Sequence, residues 1–449
     1  MNSNEHTTNS LVETQPTLSA DELTRRRFLG AAGATAIAAG AGLGALDATA
    51  EVANAQATSS ARAPLQPPPP VRLPPLSTPT EKAEGQPPAP LPPSQRVGYA
   101  IVGLGHLTLN EILPAFGECK MSRLVALVTG EREKGLTVAR QYGLEASAVY
   151  SYADYDRLRD NPAVEVIYIV LPNSMHEEYT VRGAKAGKHI LCEKPMATSS
   201  ASAKRMIQAC QAANRKLMIA YRIQYEPYNR EARRIIRSGA LGKAKLMETI
   251  NGQAQGDPNQ WRQKKALAGG GSLPDIGLYC LNTTRFLLGE EPIEIMASTY
   301  STPGDPRFKE VEENCLWQMR FPSGVQANCA AAYATHNSKR YRMHLETGWI
   351  EMSPAYFYTG LRMEIARAEG KSERIENRQL NPENQFATEI DHMSDCVIHN
   401  KTPFTPGEEG LQDQILMEAI YRSAREGKSI SLAPVPGRDA FRGPEPKAG

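Results

Sequence analysis

The chain has 449 residues, 51 Lys and Arg against 49 Asp and Glu, and a net charge of +2 with both signs interspersed. Such a length calls for about two or three domains with enough core to need no staples, and such a balance excludes the basic face that nucleic acid requires. The seven cysteines are scattered, with no CxxC pair and no Cys/His cluster at zinc spacing. They read as small buried residues rather than a disulfide framework, and no metal is expected.

Thr24-Arg25-Arg26-Arg27-Phe28-Leu29 opens an Ala/Gly-rich stretch ending near Leu46, and cleavage sites follow at Ala53-Asn54-Ala55 and Ala55-Gln56-Ala57. Residues 1–57 therefore read as a signal peptide of the twin-arginine kind. The expected partner is the twin-arginine export machinery, and the expected location is periplasmic or otherwise exported. Gly and Ala in place of Leu and Ile make this segment a poor anchor, so no stable membrane insertion is expected after processing. Residues 58–96 form a Pro-rich arm, densest at Pro67 to Pro70. Proline fixes φ and removes a donor, so the arm is extended, either a spacer or a strap across a neighbouring surface.

Val97 to Val102 reads as a buried strand, Gly103-Leu104-Gly105 as a turn, Leu109 to Phe116 as a helix and Leu124 to Val128 as the next strand. This βαβ unit puts glycines where a backbone must approach a pyrophosphate at a helix N-terminus. Thr108 stands where the fingerprint has its third glycine. After the second strand, Thr129 with Arg132 and Lys134 suits the 2′-phosphate of NADP, while Glu131 is the opposing signal for NAD. Strands at Val166 to Leu171, His189 to Cys192 and Lys216 to Ala220 alternate with helices at Glu177 to Ala186 and Ser200 to Ala213.

Residues 97–222 are thus expected as an N-terminal Rossmann dinucleotide-binding domain in an α/β chain. Beyond it come a helix near Tyr228 to Ser238 and strand-like runs at Ala244 to Ile250, Ile293 to Tyr300, Leu316 to Arg320, Gln326 to Ala332 and Arg342 to Glu351. A helix from Gly410 to Arg425 closes the series. Residues 223–435 are expected as a C-terminal α+β domain for substrate and oligomerisation, with a large, mostly antiparallel open sheet, before a tail at 436–449. An open sheet needs cover, so a homodimer or homotetramer is expected.

Glu193-Lys194-Pro195 follows a short strand at the edge where ligands of open α/β sheets bind. Gly269-Gly270-Gly271-Ser272 precedes a helix on which Asp275 and Tyr279 share a face and Asn282 continues the stripe. Oxidising a sugar hydroxyl removes its proton as hydride leaves, so a base must stand beside the reacting carbon. Tyrosine ordinarily titrates near ~10 and becomes a useful base only beside a cation. Lys194 is a candidate for that cation and for a hydrogen bond to the reacting oxygen.

Through GYAIVGLG, ILPAF, LPNSMH, AGKHILCEKPMAT, LAGGGSLPDIGLYCLN, LGEEPIE and TPGEEGLQD, the chain from Val97 to about Gly427 resembles the Gfo/Idh/MocA oxidoreductases, and within them the glucose–fructose oxidoreductase branch. Most relatives have His four residues after the helix Asp, where Tyr279 matches that branch. The resemblance implies cofactor contacts from Gly103, Gly105, His106, Leu107, Thr129, Lys134, Pro172, Asn173, His176, Glu193, Lys194, Arg222, Trp261 and Arg262. It implies Lys194, Asp275 and Tyr279 as catalytic residues, with Tyr225 joining them on the substrate. It also implies that the arm wraps a neighbouring subunit and helps retain the cofactor. Gln224, Pro274 and the segment around Gly252 to Gln260 depart from the branch, at the border of the sugar pocket.

An exported enzyme has no free nicotinamide pool. The expected cofactor is therefore tightly bound NADP, recycled as an aldose is oxidised at C1 to a lactone and a ketose or second aldose is reduced. A glycosidase working through NAD on the same fold, and a non-catalytic sugar or nucleotide sensor, remain as alternatives.

Overall fold

The computed structural model describes residues 91–446. The expected signal peptide and most of the Pro-rich arm lie outside the described residues.

Six parallel strands build the first sheet: β1 (Val97–Val102), β2 (Ser122–Val128), β3 (Val149–Tyr150), β4 (Val166–Ile169), β5 (His189–Glu193) and β6 (Leu217–Ala220). Their order, β3-β2-β1-β4-β5-β6, is that of a doubly wound dinucleotide-binding sheet. The sequences VGYAIV and VIYI are apolar throughout because β1 and β4 are buried on both faces. Helices α1 (Arg132–Gln141), α2 (His176–Lys185) and α3 (Ser200–Ala212) lie between the strands, and Ser199 caps α3 by accepting from the Ser202 N–H.

The helix after β1 starts at His106, earlier than the apolar spacing indicates, and widens over Thr108–Ile112 before tightening at Leu113–Ala115. Pro114 lies just beyond the wide turn, where its ring would crowd the carbonyl four residues back in a regular helix.

The second sheet follows helix α4 (Pro227–Ser238) and contains β7 (Ala244–Ala254), β8 (Glu294–Tyr300), β9 (Asn314–Arg320), β10 (Gln326–Ala332), β11 (Ala334–Leu345), β12 (Gly348–Met352), β13 (Met363–Glu369), β14 (Ser372–Arg378) and β15 (Ile430–Ser431). The order is β14-β13-β12-β11-β7-β10-β9-β8-β15, and only β7 and β10 run parallel. Burial alternates along β9 and β10, so one face packs on the core and the other is open, with Leu316 54% and Tyr300 56% exposed. The run Arg342 to Glu351, expected as one strand, is two. The chain turns after Leu345, and Gly348 is needed because a Cβ there would stand 2.0 Å from the Ala366 carbonyl oxygen of β13.

Helix α5 (Leu278–Leu288) lies under this sheet, α6 (Gln385–Ile398) returns to the first one, and α7 (Gly407–Glu426) packs on β8 of this sheet and on α3 and β6 of the first. Tyr99 of β1 donates to the Ile390 carbonyl at 2.8 Å, and Asp391 accepts from the Lys120 and Met121 N–H groups and the Ser122 hydroxyl. Gly407 and Gly410 let α7 approach Leu217, Ile219 and Met196; a Cβ at either would meet them at about 2.8 Å. The end of the chain therefore completes the core of its beginning, and the division at residue 222 follows chain order rather than packing. Within the expected tail, Asp439 pairs with Arg233 and Arg237 of α4, and Arg442 is buried against Glu409 of α7. All seven cysteines are buried and unpaired.

Candidate active site

The C-terminal edge of the first sheet begins with Gly103, at φ 97°, where a Cβ would lie 2.2 Å from the Val170 carbonyl oxygen. Only glycine fits that turn. Thr108, in place of the third glycine, donates its hydroxyl to the Gly103 carbonyl at 2.7 Å and ties the turn from inside. Gly105 and His106 are exposed at the mouth, Leu107 is half-buried, and the space over Gly105 is open. A helix start leaves its first N–H groups without partners in the helix, the donor set a pyrophosphate needs. Behind β2, Thr129 is buried and its hydroxyl accepts from the Glu131 N–H. Lys134 lies over the glycine turn, 3.5 Å from the Leu104 carbonyl, with Glu131 paired to it at 2.7 Å.

Lys194, after β5, donates to the Asp275 carbonyl at 2.8 Å and stands 3.7 Å from its carboxylate. The same ammonium is 4.5 Å from the centre of the Tyr279 ring. Arg222 is 4.9 Å from that ring centre, so Tyr279 has two cations for neighbours. Arg222 was expected on the cofactor. Its guanidinium is instead pinned inside by Tyr356, Phe357 and Gln385, with Tyr358 stacked 4.5 Å away.

Asp275 lies in a widened turn, Leu273–Gly277, ahead of α5. It accepts from the Tyr333 hydroxyl at 2.8 Å and has Arg262 at 3.3 Å. Burial works against its charge, but Arg262, Lys194 and Tyr333 outweigh burial and hold its carboxyl below the usual range. Asp275 is therefore a fixed anion that positions cations. Arg262, stacked 4.4 Å from Trp261, serves Asp275 rather than standing free for a ligand.

Several expected contacts serve as framework. His176 is fully buried, with its ring nitrogens 2.9 Å from the Leu171 and Pro195 carbonyls, so it fastens the Lys194 turn to the end of β4. Asn173, after Pro172, donates to the Ala268 carbonyl at 2.8 Å. Glu193 is buried, accepts from the Tyr168 hydroxyl, and is raised by burial. Tyr225, expected on the substrate, belongs to the core: it is fully buried, its hydroxyl is 3.0 Å from that of Thr405, and its ring packs on His392 and Phe404. Asn282 points away from the cleft mouth and bonds Glu409, Asp413 and Gln224.

Two groups carry no local sequence signal. Lys339 of β11 reaches Asn251 and Gln253 at 3.1 and 2.8 Å; burial, with Arg222 and Lys194, pushes it down to about 8 against the pull of Asp275. Glu389 of α6 is fully buried with both carboxyl oxygens unpartnered among the described residues, and burial raises it well above the usual range.

Residues 97–221 match the oxidoreductase family with an NAD-binding Rossmann fold, and residues 229–351 match the GFO/IDH/MocA C-terminal domain. The chain belongs to the Gfo/Idh/MocA oxidoreductase family. It is 30% identical over 342 residues to D-xylose 1-dehydrogenase [NADP(+)] of Haloarcula marismortui, across 75% of this chain and 93% of the relative. The crystal structure of an aldose-aldose oxidoreductase from Caulobacter crescentus, complexed with glycerol, shares 46% identity at a TM-score of 0.73, covering 75% of this chain and 100% of that one. Levoglucosan dehydrogenase in complex with NADH shares the fold at a TM-score of 0.68 and 22% identity, over 76% of this chain and 100% of its own.

Proposed function

We propose that this chain is an exported NADP-dependent sugar oxidoreductase that oxidises an aldose at C1 and reduces a ketose or second aldose on the same tightly held cofactor. The observation that carries this reading is Tyr279 set between Lys194 and Arg222 at the ligand-binding edge of a dinucleotide sheet. The 46% identity to an aldose-aldose oxidoreductase supports the pairing of two sugars.

The turn at Gly103, Gly105, His106 and Leu107 would hold the pyrophosphate, and Thr129 and Lys134 would hold the 2′-phosphate of NADP. The nicotinamide supplies a two-electron hydride acceptor and donor. The chain supplies the rest. Tyr279 takes the C1 hydroxyl proton, with Lys194 and Arg222 beside its ring. Lys194, fixed by Asp275, hydrogen-bonds the reacting oxygen, and Lys339 meets the remaining hydroxyls. Export and cofactor retention rest on the leader and on the absence of a nicotinamide pool outside the cytoplasm.

The test uses mature protein purified without added nucleotide, following bound-cofactor absorbance as glucose and then fructose or a second aldose is added. Reduction followed by reoxidation is expected. No change with any sugar despite bound nucleotide overturns the reading.

A further inference from the structure

A cavity of about 10 Å³, the room one water needs, lies behind Lys194 and Tyr279. Ala220, Tyr221, Ile223, Leu278, Asn282 and Thr283 complete its walls. The Tyr221 and Thr283 hydroxyls are buried and have no hydrogen-bond partner among the described residues. Buried hydroxyls are normally satisfied, and a cavity of one water's size beside two orphaned ones is where an ordered water belongs. Tyr221 also stands beside the Asp413 carboxyl, and Asn282 donates to Asp413 at 2.9 Å.

Asp413 belongs to a buried cluster of acids and guanidiniums. Arg285 of α5 contacts Glu291 at 2.7 Å, Glu409 at 3.0 Å and Asp413 at 2.5 Å, while Arg442 of the tail adds a second guanidinium on Glu409. Arg442 also meets Asp439, which Arg233 and Arg237 hold, so its charge is shared beyond Glu409. Within the cluster the groups facing Asp413 make it the proton acceptor. Burial, with Glu409 beside it on α7, pushes Asp413 up to about 6 against Arg285, Tyr221 and Asn282, while Arg285 and Arg442 hold Glu409 low.

We propose that this cavity holds a relay water and that Tyr221 passes protons between it and Asp413, which stores the proton between the two sugar reactions. The proposal rests on the sugar oxidoreductase reading. When an aldose is oxidised, its C1–H bond breaks and the hydride pair goes to a nicotinamide dinucleotide. The O–H bond breaks too, and its proton passes to Tyr279, through the water and the Tyr221 hydroxyl, to an Asp413 oxygen. Reduction of the second sugar returns hydride to its carbonyl carbon and the proton to its oxygen. The cycle then closes without drawing a proton from solvent, and a store titrating near the working pH can both accept and release.

The experiment compares the full-length mature protein with Tyr221→Phe and Asp413→Asn. In single-turnover half-reactions, oxidation of glucose should slow as pH falls through about 6 and reduction of fructose should slow as pH rises through it. Tyr221→Phe should slow both by about tenfold or more with sugar KM unchanged, and Asp413→Asn should erase the opposed pH dependences. Independently of turnover, infrared spectra of the parent should show a carboxylic-acid band that titrates and is missing in Asp413→Asn. A crystal structure should show water bonded to Tyr221 and Thr283. If Asp413→Asn does not fold, Tyr221→Phe still decides through its rates. Parental pH profiles in an active Tyr221→Phe overturn the relay alone. A parent inert with every sugar overturns the functional reading, and the infrared band then decides whether Asp413 titrates at all.

Discussion

Tyr279 gains its setting from what surrounds its ring. Lys194 and Arg222 come from positions far apart in sequence, and they stand 4.5 and 4.9 Å from the ring centre. Tyr279→Phe is expected to lower kcat by about 10²–10⁴ with the melting temperature unchanged, since only the hydroxyl is removed. Arg222→Lys keeps the charge but loses the planar fork that meets Tyr356, Phe357 and Gln385, so a lower kcat with altered sugar KM is expected from steady-state kinetics. Lys339 sheds its charge as pH rises through about 8. Sugar KM should therefore climb above that pH, and a profile of Lys339→Met should be flat there. Lys194, Asp275 and Tyr279 are legible because the strand edge and helix spacing mark them. Lys339 and Glu389 are silent because their partners come from distant strands and helices. Tyr225 misleads for a related reason: nothing local tells whether an aromatic after a strand turns toward a cleft or a core.

Helix α5 carries the site at its start and a buried charge cluster at its middle. Arg285 is wholly buried among Glu291, Glu409 and Asp413, and its loss leaves Glu291 and Asp413 without a cation while Glu409 keeps Arg442. Arg285→Met is expected to cost about 3–5 kcal/mol, read from urea unfolding. At the cofactor turn, Gly103→Ala combines a positive φ with a contact to the Val170 carbonyl, and nucleotide binding measured by calorimetry should be lost before the fold is. The parallel strands were legible as apolar runs, and β9 and β10 as strand-like runs of a second sheet. The short β3, the polar β14 and the hairpin inside Arg342 to Glu351 were not, since little apolar periodicity or punctuation marks them.

For the molecule as a whole, the half-buried His189 and the buried His392 set an acid limit. His189 accepts from the Lys216 N–H and His392 from the Phe404 N–H, and burial lowers both to about 4. The folded value lies below the ordinary ~6.5, so the unfolded chain binds more protons in between and stability falls as pH drops from about 6.5 toward 4. Thermal melts across that window should show the loss, and His392→Gln should flatten part of it. The parallel first sheet was legible from the alternation of strands and helices. The return of α6 and α7 to the first sheet was not, because no local pattern says which sheet a late helix covers.

That return has a consequence for how the protein is made. The first strands leave the ribosome long before α6 and α7 exist, with Tyr99 and the β6 face still uncovered. A nascent chain stalled after residue 222 should stay protease-sensitive and bound to holding chaperones, and the nucleotide cradle should lock only after residue 426 has emerged. Synthesis order and folding order therefore run in opposite senses: the last helices made are the ones that license the first domain.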